Sequence, residues 1–324
     1  MRNFFAIVLL IFALVKLHGQ PVPSPDENIP WIITFGKNAH PSWGDPDYVQ
    51  VFFFVVPETY RGAVYIRVFD PDVGGMHDEL NGASFTTRVS YHVYGGRDAY
   101  THPEAQKVNP KGNFKTGTML ATRTFGVDPR YDNNWFSFGP FDPTQGEPYQ
   151  QYGGYVFKVI CEGLDGDDGN AYRYFMSSSA TQNIAIEGGN AFAFEYKFRL
   201  HESPGEVSHI YPYVDVDDTR VQTKNFDWDN DGNIRVTSEV RRELQANVSG
   251  DNQWAVTEFA VMEGERGKSL NFQFIPKGVR NNNVVINVQN QKGEFLKFYS
   301  SPIGGVPKYR FSIETRRPNQ QQNR

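Results

Sequence analysis

The chain of 324 residues is 39% hydrophobic, 15% aromatic and 21% charged, with one cysteine and a formal charge of −5. That apolar and aromatic content excludes a wholly disordered chain, and the length suggests about two domains. One cysteine excludes an intrachain disulfide framework and a multi-cysteine zinc site, and the acidic balance argues against a nucleic-acid binder.

Residues 4–15 form an unbroken apolar run behind Arg2, and Leu17-His18-Gly19 follows with the small residue last. The run is shorter than the roughly 20 residues of a membrane helix. It reads as a secretory signal peptide over 1–19, cleaved after Gly19. Removing it takes Arg2 and Lys16 away and leaves thirty basic against 37 acidic residues, a charge of −7. No later run is long enough for a transmembrane segment. Export without disulfides suits a bacterial protein, either secreted or periplasmic or outer-membrane-associated in a Gram-negative cell.

A Pro-rich lead and first strand region occupies 20–46. Beyond it the apolar pattern has period two. Val64, Ile66 and Val68 share a face, and over 191–200 Phe192, Phe194, Tyr196, Phe198 and Leu200 alternate with Ala193, Glu195, Lys197 and Arg199. This predicts a strand with one buried and one wet face. Tyr309, Phe311 and Ile313 repeat the pattern. Gly, Asn and Asp separate the strands, and no sustained helical repeat occurs. His201–Glu206 carries Pro204-Gly205 and divides two blocks. The expectation is an all-β protein of two tandem, jelly-roll-like β-sandwich domains, 47–203 and 204–315, with a disordered Gln/Asn-rich tail over 316–324. Cys161 alternates with Val159 and Phe157 and reads as a small core residue.

Three acidic loops carry the sharpest local signal. Asp227, Asp229 and Asp231 stand in D-x-D-x-D-G ending at Gly232. Alternate carboxylates on a glycine-tightened loop can converge on calcium, a hard cation that takes oxygen ligands. Position twelve from Asp227 is Ser238 rather than a glutamate, and the flanks read as strands, so this is not an EF-hand. Asp165, Asp167 and Asp168 form a second loop between strands. Asp70 and Asp72, with Gly74-Gly75 and Asp78-Glu79 downstream, form a third. Each is a calcium-loop candidate; at Asp227 a metal-free hairpin turn weighs about as much, and at the other two loops a metal-free turn or plain polar loop weighs more. Asp215, Asp217 and Asp218 either complete the Asp227 set or keep a strand edge soluble.

No H-E-x-x-H, G-x-S-x-G or Walker-type loop is present, and no catalytic residue is assigned. The irregular stretches 95–117 and 126–153 are placed where a sandwich carries binding loops. Within the second, Trp135, Tyr131 and Tyr149 are candidates for stacking on a sugar or anchoring a partner, against the plainer role of bracing the loop.

The leader, the D-x-D-x-D-G run and the alternating strands together resemble calcium-stabilised β-sandwich modules of secreted bacterial envelope proteins. That resemblance implies a non-enzymatic binding or surface-assembly role toward a glycan or envelope protein, with calcium as a structural ion. Two alternatives stand beside it: a secreted hydrolase acting on glycan or glycoprotein, and a structural subunit of an envelope complex.

Overall fold

The structure, a computed structural model, describes residues 20–80, 87–108 and 114–308. The leader over 1–19, the strand expected around Tyr309–Ile313 and the tail over 316–324 lie outside the described residues. Within them the chain is nearly all β, with antiparallel sheets and no α-helix, as its period-two pattern predicts.

The first half holds β1 (Gln20–Val22), β2 (Trp31–Phe35), β3 (Val49–Pro57), β4 (Val64–Phe69), β5 (Arg88–Gly95) and β6 (Thr118–Phe125). It continues with β7 (Trp135–Phe141), β8 (Glu147–Tyr149), β9 (Gly154–Asp165), β10 (Gly169–Ser177), β11 (Asn190–Ala193) and β12 (Glu195–Arg199). The second half holds β13 (Ser208–Ile210), β14 (Tyr213–Val214), β15 (Arg220–Phe226), β16 (Gly232–Thr237) and β17 (Leu244–Ala246). It ends with β18 (Trp254–Ala260), β19 (Lys268–Ser269), β20 (Asn271–Pro276), β21 (Asn283–Asn290) and β22 (Phe298–Tyr299).

One long sheet runs β18-β15-β21-β12-β2-β10-β4-β7, with β1 added along β10. A second sheet runs β22-β11-β3-β9-β5-β6, with β8 along β9, and a third runs β13-β20-β16-β17. The inner face of the long sheet meets both shorter sheets. Tyr196 on β12 packs edge-on against Phe52 of β3 at 5.2 Å, while Phe198, two residues on, packs against Phe274 of β20 at 5.0 Å. A single buried cluster therefore contains Phe52, Val159 and Tyr174 together with Ile234, Phe272 and Ile286. Hydrogen-bonded ladders also cross the Pro204-Gly205 turn: β12 pairs with β21, and β11 with β22.

β3 shows why the core closes. Its sequence VQVFFFVVP is apolar on both faces. Phe52, Phe54 and Val56 enter the main core, whereas Phe53 and Val55 enter a second cluster with Tyr100, Phe192 and Phe194 on the outer side of the same sheet. Each such phenylalanine contributes roughly 1.5–3 kcal/mol by leaving water. The stretch after β5 covers that outer side. Glu147 holds it by accepting from the backbone nitrogens of Asp98 (3.1 Å) and Thr101 (3.0 Å) and from the Thr101 hydroxyl (2.5 Å).

The stretch 191–200 differs from its expected single strand in two ways. The chain leaves the second sheet at Ala193 and joins the long sheet at Glu195, so Phe192 and Phe194 face the outer cluster while Tyr196, Phe198 and Leu200 face the main core. The face expected to be wet is also dry: Glu195, Lys197 and Arg199 are all under 10% exposed. Alternation reports polarity, and polarity does not mean exposure where partners neutralise the charge. Lys197 Nζ donates to Asp45 Oδ1 (2.8 Å), to Asp47 and to the Val49 carbonyl (2.7 Å), and Arg199 donates to Glu79 at 2.7 Å. Burial alone would lower the Lys197 pKa, but the carboxylates of Asp45, Asp47 and Glu195 outweigh it and hold the ammonium charged.

The Pro-rich lead is tied down by a buried acid. Glu27 accepts from Ser24 N (2.6 Å) and from the Tyr196 hydroxyl (2.9 Å), and its carbonyl accepts from His209 N (2.7 Å). Burial pushes its carboxyl up from 4.5 to about 8. Cys161 is fully buried in the main core, and burial pushes its thiol up to about 12.

Replacing Lys197 by Met leaves Asp45 and Asp47 buried without their cation, and urea unfolding is expected to show a loss of about 3–5 kcal/mol. Glu27 keeps its proton in the fold where the unfolded chain has lost it, so its contribution to stability falls as pH rises from 4.5 to about 8. Glu27→Gln should shrink the wild-type loss of stability between pH 5 and pH 8; an unchanged loss means that another group carries it.

Candidate functional site

All three acidic loops turn out to be crossovers between sheets rather than hairpin turns. The loop at 227–231 leads from β15 in the long sheet to β16 in the third sheet. Residues 166–168 lead from β9 in the second sheet to β10 in the long one, and the loop at 70–78 leaves β4 toward β5. A crossover leaves backbone groups unpaired at the sheet edges, and aspartate satisfies them locally.

At the first loop Asp227, Asp229 and Asn230 adopt positive φ, and the loop lies against 249–253 through Trp228 N to Ser249 Oγ (2.9 Å) and Asn230 N to Ser249 O (2.8 Å). Carboxylate oxygens of Asp227, Asp229 and Asp251 lie within 4.8 Å of one another. Asp227 is buried and also accepts from Asn252 N, while Asp229 and Asp251 are exposed. Burial, then the charges of Asp229 and Asp251, push Asp227 up to about 6. Asp231 stands apart from that trio and accepts from Asn282 Nδ2 at 3.1 Å. Asp251 was not among the expected ligands; its position in the Ser249-Gly250-Asp251-Asn252 turn is the signal that points to it. Asp215, Asp217 and Asp218 do not join this group. Asp217 pairs with Lys292 (2.5 Å), and Asp218 accepts from Asp215 N and Asn290 Nδ2.

The other two loops merge into one buried acidic region. Asp168 accepts from Leu80 N (2.6 Å) and Gly169 N (2.8 Å), and Asp78 accepts from Gly74 N, Gly75 N and Ala171 N at 2.7–3.0 Å. Asp70 takes one backbone donor, Asn133 N at 2.9 Å, and Asp72 takes a long contact from Asp128 N at 3.4 Å. Burial raises all four. Asp70 rises to about 6, and Asp72, with Asp70 and Asp132 adding their charge, rises to about 7. Asp165 is different: it is part-exposed and held by Arg88 Nε (3.0 Å) and Nη2 (2.5 Å), and that hydrogen bonding lowers its pKa. Asp167 is exposed.

The three aromatic candidates are not brought together. Trp135 starts β7 and ends a cross-strand row on the outer face of the long sheet. In that row Arg199 pairs with Trp31, Arg173 lies 4.0 Å over Trp31 and pairs with Phe69, and Phe69 pairs with Trp135. Arg67 sits 4.9 Å from the Trp135 ring. Tyr131 braces its loop, edge-on to Phe125 and Phe136, with Arg123 at 5.0 Å. Tyr149 packs on Tyr100 and Tyr152, and Tyr152 meets Tyr299 through their hydroxyls at 3.4 Å. Tyr299 in turn packs against Tyr213 at 6.0 Å.

Tyr213 lines a cleft of about 410 Å³ formed where the two halves of the chain meet. Gln106 and Lys107 come from the stretch after β5, and Phe194 from the crossover between β11 and β12. Tyr213 and Asp215 come from the end of β14, and Phe295 and Lys297 from the loop between β21 and β22. The cleft combines flat rings with carboxylates, two amides and two amines. Burial lowers the Lys297 ammonium, with Asp215, Asp218 and Glu294 opposing that shift. The period-two pattern gave no hint of this cleft, because its residues are far apart in the chain and each resembles an ordinary strand or turn residue.

No protein-family model matches this chain, and no curated protein is similar to it. Among solved structures, the N-terminal CBM22-1–CBM22-2 tandem domain of Paenibacillus barcinonensis Xyn10C aligns at 9% identity over 77% of this chain and 78% of that one, with a TM-score of 0.14. Within the acidic loops, Asp165→Asn is expected to leave the urea midpoint and any calcium response unchanged, since its charge is already answered by a solvent-exposed arginine.

Proposed function

We propose that this chain is an exported, non-enzymatic binding or surface-assembly protein of a bacterial cell envelope, with a glycan as the ligand of the cleft and calcium as a structural ion. The observation that carries the reading is the cleft itself. Its volume falls among small-ligand sites of roughly 300–1,000 Å³. Tyr213 and Phe295 offer ring faces for sugar C–H groups, and Asp215 and Gln106 offer hydrogen bonds to hydroxyls. Asp215, Asp218 and Glu294 outnumber the two lysines there, which favours a neutral or amino sugar over an acidic one. Export rests on the apolar leader. Among the described residues no helix is long and apolar enough to cross a membrane.

Affinity electrophoresis against neutral polysaccharides tests the cleft. Wild-type protein is expected to be retarded, and Tyr213→Ala or Phe295→Ala to weaken retention at least about tenfold. Retention that both variants keep removes the cleft as the site, and release of reducing ends from any polysaccharide replaces binding with the hydrolase reading.

A further inference from the structure

Most charged and amide groups lining the cleft are already answered by the protein. Asn290 Nδ2 donates to Asp218 Oδ1 (3.0 Å) and to Glu294 Oε2 (2.9 Å), and Asp218 Oδ2 accepts from Asp215 N (2.9 Å). Asn290 Oδ1 accepts from the backbone nitrogens of Lys292 (2.9 Å) and Glu294 (3.0 Å). Lys107 pairs with Glu104, and Gln106 Nε2 donates to the Tyr100 carbonyl (2.9 Å). Two charges of opposite sign are left over. Lys297 is half-buried, and Asp215, Asp218 and Glu294 act on its ammonium only from a distance; among the described residues it forms no hydrogen bond or ion pair. Asp215 is held to Asp218 through its backbone alone, and its exposed carboxylate takes no donor among the described residues. The two residues are brought to one wall by Tyr213 N, which donates to the Lys297 carbonyl at 2.9 Å.

A ligand that enters the cleft takes water away from both groups and must replace it. An ammonium only donates hydrogen bonds, and a carboxylate only accepts them. A sugar hydroxyl does either, so it answers both residues without preference. An acetamido group divides the roles: its carbonyl only accepts, its N–H only donates, and its methyl group needs an apolar wall. Phe194 and Leu296 are buried side chains that line the same cleft. A free amino sugar would bring a second ammonium to Lys297, and a sugar acid would bring a second carboxylate to Asp215.

We propose that Lys297 and Asp215 make the cleft selective for an N-acetylated amino sugar. The Lys297 ammonium donates to the acetamido carbonyl, and the Asp215 carboxylate accepts from the N–H or a neighbouring hydroxyl. This rests on the glycan reading of the cleft and names the sugar class. The rings of Tyr213 and Phe295 suit any hexose, so they give affinity without choice. The two charges discriminate, because a ligand that fills the cleft and leaves either one unpaired loses affinity.

Isothermal titration calorimetry of the full chain tests it with three β-1,4-linked disaccharides that differ at C2: cellobiose, the glucosamine disaccharide and N,N′-diacetylchitobiose. Wild type is expected to bind diacetylchitobiose at least about tenfold more tightly than either of the others, the scale of one hydrogen bond to a charged group. Lys297→Met and Asp215→Asn should each bring that ratio down toward one, and Lys297→Arg should keep most of it. Thermal melts of the variants report folding; if Lys297→Met does not fold, Asp215→Asn on an exposed side chain decides. A fourth probe, the disaccharide of N-acetylglucosamine and N-acetylmuramic acid, separates wall glycan from neutral chains. Its added carboxylate should weaken binding, and tighter binding than diacetylchitobiose overturns the neutral-sugar assignment. Equal binding of cellobiose and diacetylchitobiose, or a preference that both variants keep, overturns the inference and leaves the glycan reading standing. No heat with any probe overturns it too, and the glycan reading falls with it only if neutral polysaccharides also fail to retard the wild-type protein.

Discussion

The structure depends on the passage of one chain segment from one sheet to another. At Phe194 the backbone leaves β11 and enters β12, so a single ten-residue run belongs to both the second sheet and the long sheet, and also pairs with β21 of the second half. Its apolar side chains fill two different clusters, and its charged side chains are all buried. Lys197 reaches Asp45 and Asp47 in the segment before β3, and Arg199 reaches Glu79 in the crossover that follows β4. The layers are thus held by ring packing on one side of the segment and by neutralised charge on the other. Such pairs add little net stability over apolar residues of the same shape, but each partner, once buried, requires the other. They fix which loops lie against β12.

The same logic organises the ends of the sheets. Every sheet-to-sheet crossover carrying several aspartates must satisfy backbone donors that no ladder reaches. Where those donors suffice, as at Asp78, a buried carboxylate is a structural cap; at Asp168 both backbone donors reach Oδ1 and Oδ2 has no partner. Asp70 and Asp72 take only one backbone donor each, and burial raises both carboxyls. At Asp229 and Asp251 water reaches the carboxylates, which converge with buried Asp227.

The cleft is a consequence of the shared sheet. Because β12 pairs with β21, the loop between β21 and β22 lies beside the outer aromatic cluster of the second sheet, and Phe295 and Lys297 close a wall opposite Gln106 and Lys107. The tyrosine chain from Tyr149 through Tyr152 and Tyr299 to Tyr213 lends this wall rigid side chains with few rotamers to lose. The proposed binding role follows from that geometry and not from any single motif.

The sequence by itself determined the all-β class, since side-chain alternation follows directly from strand geometry, and it marked Cys161 as a core residue. It also located the acidic loops, because Asp and Gly cluster where a chain must turn. It could not tell a hairpin from a crossover, since both break a strand with the same residues; which strands then pair is a long-range matter. It read Glu195, Lys197 and Arg199 as a wet face, because periodicity carries no information about Asp45, Asp47 or Glu79 waiting some 120 to 150 positions away. Only the tertiary structure decided which carboxylates are answered and which are left empty, and only it joined Tyr213, Phe295 and Gln106 into one cleft. Burial and neutralisation are properties of neighbours in space, and the chain order does not record them.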